Sequence, residues 1–383
     1  GPSLDKNIQL LKSARQRFFL IAVATALKPL LHNGIQPDIV FSIDPDALTI
    51  NSFDLSINTS DYWLIFNPVV PGIIPEIFPR RRLAFDSENY LAKWFKKYTE
   101  EKGGLGSIFS VAHSAAQFAQ FSGCSQIILV GQDLSFSKQS LHCRHTFYNE
   151  EHVDKISKLK TLPYWENLKY FNFGPNLTQK RDLYERSITS TIAMESYNEI
   201  FSRSFDQPQN VINATEGGIP IKGIQNLSLR EALHNYCSER IIGKINPFKI
   251  LEGYKRKFFK SLKISTSRQM QQLGNISLRL NKLKSKYLSS ESHDPENKRL
   301  FVNEMNNVFA SILADNETAL LLQGYDFAGF SDWYRSNNKI SNTKELSGDG
   351  SLSAEEFERD QKFFKILTEA VDYLMTNFAL QAH

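Results

Sequence analysis

The residues best equipped to move a proton are two histidines three apart in "SLHCRHTFY". An imidazole titrates near neutrality, so His142 or His145 suits a general base. Read as metal ligands, the pair lacks a third Cys or His at useful spacing. A solvated, idle side chain accounts for either histidine equally well. Two carboxylates stand two apart in "SIDPD". Asp44 and Asp46 can hold a divalent metal against a diphosphate, or Asp44 alone can bond a ribose. An Asp-Pro turn uses the same residues.

Further stretches carry groups for anions and hydroxyls. "GPSLD" opens a helix, where free amides and the Ser3 hydroxyl suit a phosphate. The same residues also read as the remnant of a cleaved tag ahead of Ser3 as an N-cap. "GSIFSVAHSA" offers Ser107 and Ser110 at another helix start, with His113 one turn inside, where packing is the expected role. "GQDLSF" sets Gln132 and Asp133 beyond a strand. There they suit nucleobase or sugar hydroxyls, or simply cap the next turn. "ELSGDGSLSAEEF" carries Glu345, Ser347, Asp349, Gly350 and Glu356 at calcium-loop spacing, but Glu345 stands where Asp is wanted. Ser353 and Glu356 form a capping box instead.

These groups need elements to position them. "FFLIAVATAL" starts as a doubly buried strand and passes into a helix ending near His32. "IVFSID", "YWLIFN" and "RRLAFD" read as further strands. The stretch from Val111 to Gly131 reads as an Ala-rich helix, a Gly123 stop and the strand "QIILVG". Strand–helix alternation implies an α/β fold, a Rossmann-like, doubly wound, mostly parallel sheet with ligands at the carboxyl ends of the strands. From Leu134 to Asn176 the pattern becomes a polar and aromatic loop, long enough to be a lid or binding segment. A helix is expected near residues 190–202, then a short strand in "NVINATEGGIPIKGI".

Composition is that of an ordinary globular chain, 383 residues with 45 Lys and Arg against 41 Asp and Glu. The net charge of +4 names no partner, and no run approaches a membrane span. The three cysteines, Cys124, Cys143 and Cys237, make neither a disulfide framework nor a zinc pair. Without an export signal, triplets such as Asn58-Thr59-Ser60 are chance matches, and a reducing cytoplasm is the expected setting. From Lys244 to Lys286 twelve Lys or Arg face one acid, Glu252. That basic stretch, with amphipathic patterns over about 297–323 and 353–380, makes the C-terminal part α-helical. The expected domains are 1–240 and 241–383.

Taken in order, "GPSLDKNIQLLK", "ALKPLLHNGIQPDIVFSIDP", "SVAHSAAQFAQFSGCSQIILVGQDLSF" with its following His, and "NATEGGIPIKG" resemble the Maf family of motility-associated factors. These are bacterial flagellin glycosyltransferases with a core similar to sialyltransferases that use CMP-activated sugars. In those families the phosphate loop reads G-x-G-P-S-L after a strand. This chain begins at the second glycine, so the N-terminal strand and first glycine are expected to be missing.

The resemblance implies transfer of a nonulosonic acid, of the pseudaminic or legionaminic type, from a CMP donor to Ser or Thr of flagellin, with inversion. Its catalytic residues would be His142 as base and Asp133. Its donor-binding residues would be Gly1, Pro2, Ser3, Thr25, Asp44, Ser110 and Gln132. Tyr148, Tyr164 and Tyr170 are candidates to steady the leaving phosphate. No cofactor, nucleic acid or membrane span is expected, and Asp44 with Asp46 leaves a divalent ion open. Lys255, Arg256 and Lys257 either dock flagellin or form a solvated helix face. Two alternatives stand beside this reading: a 6-hydroxymethylpterin pyrophosphokinase-like enzyme needing Mg²⁺ and ATP, and a non-catalytic flagellin-binding assembly factor.

Overall fold

The runs "IAV", "IVFS" and "WLIF" have no polar face, so each must be covered on both sides. They form β1 (Ile21–Val23), β2 (Ile39–Ser42) and β3 (Trp63–Phe66), and with β4 (Arg82–Ala84) they make a parallel sheet in the order β1-β2-β3-β4. A second parallel sheet joins β5 (Ile127–Leu129), β8 (Val211–Asn213) and β9 (Gln225–Asn226) in the order β5-β8-β9. Between them in sequence, β6 (Leu177–Arg181) and β7 (Ser187–Thr191) pair as an antiparallel hairpin.

This computed structural model describes residues 1–53, 61–86, 90–98, 103–105, 109–137, 140–152, 155–205, 208–241, 260–288, 294–326, 329–337, 340 and 354–380. The chain divides into two units, Gly1–Ser87 with Lys102–Glu252, and Glu88–Glu101 with Gly253–His383. Asn58 to Ser60, Ser107, Lys255 to Lys257 and the stretch 345–353 lie outside the described residues.

In the first unit the sheets are wound on both faces. Val40 and Leu64 pack with Ala24 and Leu27 of α2 (Ala24–His32). Their neighbours in register, Ile39, Phe41 and Ile65, face the helix Val111–Phe121 through Ala115. That helix also covers the second sheet, with Ala116 against Val211. Small side chains let it lie close to both. On the other side, α1 (Leu4–Ser13) and the helix Leu229–Tyr236 pack Leu4, Ile8, Leu11 and Leu233 with Ile212 and Ala214. The doubly wound Rossmann-like expectation therefore holds, with the parallel strands divided between two sheets.

His113 is packed, as its position predicted. It is buried against Phe201 and Phe109, with ring centroids 5.5 and 5.8 Å away. Ser204 Oγ lies 2.5 Å from His113 Nε2 and donates to the Ile200 carbonyl. Nε2 therefore carries the proton, and the buried Nδ1 has no partner among the described residues. Burial pushes the His113 pKa down.

The segment 134–176 is less of a loop than its composition implied. It contains the short helix Phe147–Glu150 and the longer helix Leu162–Asn172. The second unit holds the helices Lys260–Leu283, Pro295–Ala314, Asn316–Tyr325 and Ala354–Leu380. The pattern read as one helix over 297–323 is thus two, broken at Asp315. This unit also claims the helix Tyr90–Lys96, which the expected boundary at 240 had left in the first domain. The reason is Trp94, fully buried among Leu273, Leu280, Phe301 and Leu322. Its indole donates to Glu317, which also accepts from Tyr98.

A histidine whose folded pKa is depressed supports the fold above its unfolded pKa. That support is lost as pH falls from about 6.5 toward the folded value. Thermal melts should show stability declining over this window, and His113→Gln should flatten the decline.

Candidate functional site

Parallel strands put all their carboxyl ends on one edge, and helices that lead into those strands start at the same edge. Thr25 follows β1, Asp44 follows β2, and Gln132 and Asp133 follow β5. Residues 214–218 follow β8. The N-termini of α1 and the helix Val111–Phe121 return to this edge, bringing Gly1–Ser3 and Ser110.

Asp133 organises the first part of the edge. Its carboxylate is 1% exposed and accepts from Ser3 N–H at 3.2 Å and from Ser3 Oγ at 2.8 Å. An anion at a helix N-terminus meets unpaired amides and a favourable dipole field. Asp133 thus caps α1, and Ser3 is buried with it. Gly1 N–H donates to the Gly131 carbonyl at 2.5 Å. Gly131 and Gly218 both have left-handed backbones, with φ of 73° and 74°. A Cβ on Gly218 would fall 2.0 Å from the Asp133 carbonyl oxygen, so only glycine fits. Gln132 N–H donates to Thr215 Oγ1 at 3.1 Å, and Lys6 Nζ reaches the Glu216 carbonyl at 3.2 Å. Neither Thr215 nor Glu216 stands out in the sequence by residue type. The "GG" that follows them was their visible signal.

The second part is the segment His142–Glu150, pinned to both helices of the edge. Arg144 N–H donates to the Asp5 carboxylate on α1 at 3.2 Å. Lys28 on α2 pairs with Glu150 at 2.7 Å, and the His32 and His145 rings stack 3.6 Å apart. Cys143 is buried in the cluster with Leu4 and Ile8. Burial pushes its thiol up to about 11, with Asp5 and Asp133 adding to the rise.

His142 stacks on Tyr148, centroids 4.3 Å apart and planes within 7°. The half-buried Tyr148 phenol is pushed up, first by burial and then by Asp44, Asp46 and Glu151. It therefore stays protonated as a donor. His142, Tyr148 and Asp44 share one locality at the carboxyl edge, and Gly1, Ser3, Gln132 and Asp133 share its neighbour. Of the other tyrosines, Tyr170 donates to Thr189 and Tyr164 is exposed on its helix.

Three candidates are locally engaged. Asp44 accepts from Asp46 N–H at 3.0 Å, and Asp46 accepts from Leu48 N–H at 2.9 Å, the bonds of a turn. Ser110 accepts from His113 N–H at 3.2 Å as an N-cap. Thr25 is half-buried in the first turn of α2. Among the described residues no group of three or more His, Cys, Asp or Glu is placed to hold a metal, and no helix is long and apolar enough to cross a membrane.

Fold and edge together define a Rossmann-like α/β protein with its polar groups at a switch between two parallel sheets. The family described as 6-hydroxymethylpterin diphosphokinase MptE-like matches residues 1–139. Among solved structures, the chain is similar to the MAf glycosyltransferase from Magnetospirillum magneticum AMB-1, at 14% identity and a TM-score of 0.48. That alignment covers 100% of this chain and 53% of the other, so the chain spans about half its length. No curated protein matches.

Two outcomes are expected from this geometry. Asp133→Ala strands buried donors on Ser3 and should lower stability by about 1–3 kcal/mol in denaturant titrations. At pH 8 Cys143 should be the slowest thiol to alkylate, reacting in step with unfolding, because almost none of it is thiolate.

Proposed function

We propose that this protein is a glycosyltransferase that moves a nonulosonic acid from a CMP-activated donor to Ser or Thr hydroxyls of flagellin. The observation that carries the reading is the meeting of His142 and Tyr148 with the α1 edge, where Arg144 bonds Asp5. An imidazole beside a protonated phenol, next to a glycine-lined helix start, is an arrangement suited to glycosyl transfer from a phosphate.

In the reaction, His142 takes the acceptor hydroxyl proton as the new oxygen–carbon bond forms at the anomeric centre. The bond from that carbon to the phosphate oxygen breaks, and CMP leaves with the electron pair. The Tyr148 hydroxyl donates to the departing phosphate. Gly1, Pro2 and Gln132 line the donor side, with Ser3 behind them holding Asp133. Thr25 and the remaining lone pairs of Asp44 and Ser110, each of which also closes its own turn or cap, contact ribose or sugar hydroxyls. Asp133 serves by holding α1 in place. The expected setting is the cytoplasm, and the reaction as drawn uses no cofactor, with a divalent ion at Asp44 and Asp46 left open.

A second reading is diphosphoryl transfer to a hydroxymethylpterin, with Asp44 and Asp46 on Mg²⁺. It is favoured by the family match over residues 1–139. In this structure each of those carboxylates already closes a turn.

Mass spectrometry of flagellin co-expressed with this gene and a CMP-nonulosonate pathway should show the added sugar. His142→Ala should reduce transfer on the order of a hundredfold or more. Full activity in that variant would remove His142 as base. Strict dependence on Mg²⁺ and ATP would sink the transferase reading in favour of the second.

A further inference from the structure

The helix Leu162–Asn172 turns Glu166 inward. Glu166 Oε1 accepts from Ser140 Oγ at 3.1 Å and from Asn149 Nδ2 at 3.3 Å. Trp165 stacks on His152, centroids 5.2 Å apart, and Tyr170 meets Phe136 edge-on. Tyr164, Leu168 and Phe171, spaced i, i+4 and i+7, form the opposite stripe. They are 42%, 45% and 66% exposed.

Just before the helix the chain makes a tight turn. Ser157 N–H donates to the Lys160 carbonyl at 3.0 Å, and Lys160 N–H to Ser157 Oγ at 3.1 Å. Leu159 sits at the tip, 90% exposed, with Ile156 beside it at 46%. Lys155, Lys158 and Lys160 are all exposed around them. Lys155 and Lys160 lie over the Trp165 ring, and none of the three pairs with a carboxylate among the described residues.

Charge decides what covers this turn. A protein interface separates an apolar centre from a polar rim. Along the turn "KISKLK" lysine and apolar residues alternate, so the turn has no dry centre. A lipid boundary accepts that interleaving, because apolar side chains enter the acyl region while lysine stems reach back to the phosphates. Unpaired ammonium groups complement anionic headgroups.

We propose that the Lys155–Lys160 turn forms a reversible docking surface for an anionic membrane. The surface stands apart from the transferase reading, since neither His142 nor the α1 edge contributes to it. The lipid enters as a headgroup charge and an acyl boundary, and no bond is made or broken.

Cosedimentation of the full chain with phosphatidylcholine vesicles, with and without phosphatidylglycerol, tests this. The protein should pellet with the anionic vesicles at low ionic strength and remain in solution with phosphatidylcholine alone. Leu159→Glu, and separately the double change Lys158→Glu with Lys160→Glu, should each weaken partitioning roughly tenfold. All three side chains are exposed, so the variants should melt like the parent. Equal binding to both vesicle types, or unchanged binding by both variants, would overturn the proposal. No binding to anionic vesicles would also overturn it and leave the turn to a protein partner.

Discussion

One buried carboxylate holds the carboxyl edge together. Asp133 is 1% exposed, and a buried carboxyl needs hydrogen-bond partners, which Ser3 supplies from its amide and hydroxyl. The bond spans 130 residues of chain and fixes where α1 begins relative to β5. The Asp133 backbone extends the effect. Its carbonyl accepts from Ile219 N–H at 3.0 Å, and Gly218 passes too close to it for any side chain. The turn of the β6–β7 hairpin then bonds Gly218 through Leu183 N–H, and Ser190 Oγ donates to the Leu134 carbonyl. Helix start, strand end, glycine turn and hairpin are thereby fixed by one side chain and its own peptide.

The segment His142–Glu150 is held differently. Its anchors are an ion pair, an amide on a surface carboxylate and stacked rings, most of them exposed. Exposed pairs of this kind contribute little each. Cys143 supplies the firmer tie, buried among the apolar side chains of α1. The edge thus combines a half built around Asp133 with a half secured by the buried Cys143, Thr146 and Phe147. His142 and Tyr148 stand on the second half, next to the turn of Asp44 and Asp46.

Much of the first unit was legible because buried parallel strands leave continuous apolar runs. "IVFS" and "WLIF" became β2 and β3 with little displacement, and the alanines of the helix Val111–Phe121 foretold its close approach to the sheet. The division into two sheets was not legible, since pairing partners leave no mark in a run apolar on both faces. The helix Leu162–Asn172 was missed because its apolar stripe points outward and its glutamate inward, which blurs the expected pattern. At the edge, residue types were readable and partners were not. Asp133 was visible as a strand-end acid, but nothing local in "GQDLSF" shows that its carboxylate closes on Ser3. Tyr148 appeared as one of three tyrosines, and only the ring stacking singles it out beside His142.

Trp94 carries a further consequence, for the order in which the chain can fold. The helical unit is assembled from a short early stretch and a long late one, Glu88–Glu101 and Gly253–His383. Its core includes the Trp94 indole, and the indole's partner Glu317 and fellow core residues Leu322 and Phe363 are synthesised far later. A contact of such sequence separation forms slowly, because a long loop must close before burial rewards it. During synthesis the tryptophan has to wait, exposed, until the last helices emerge. A fragment beginning at Gly253 would fold around a hole where that ring belongs.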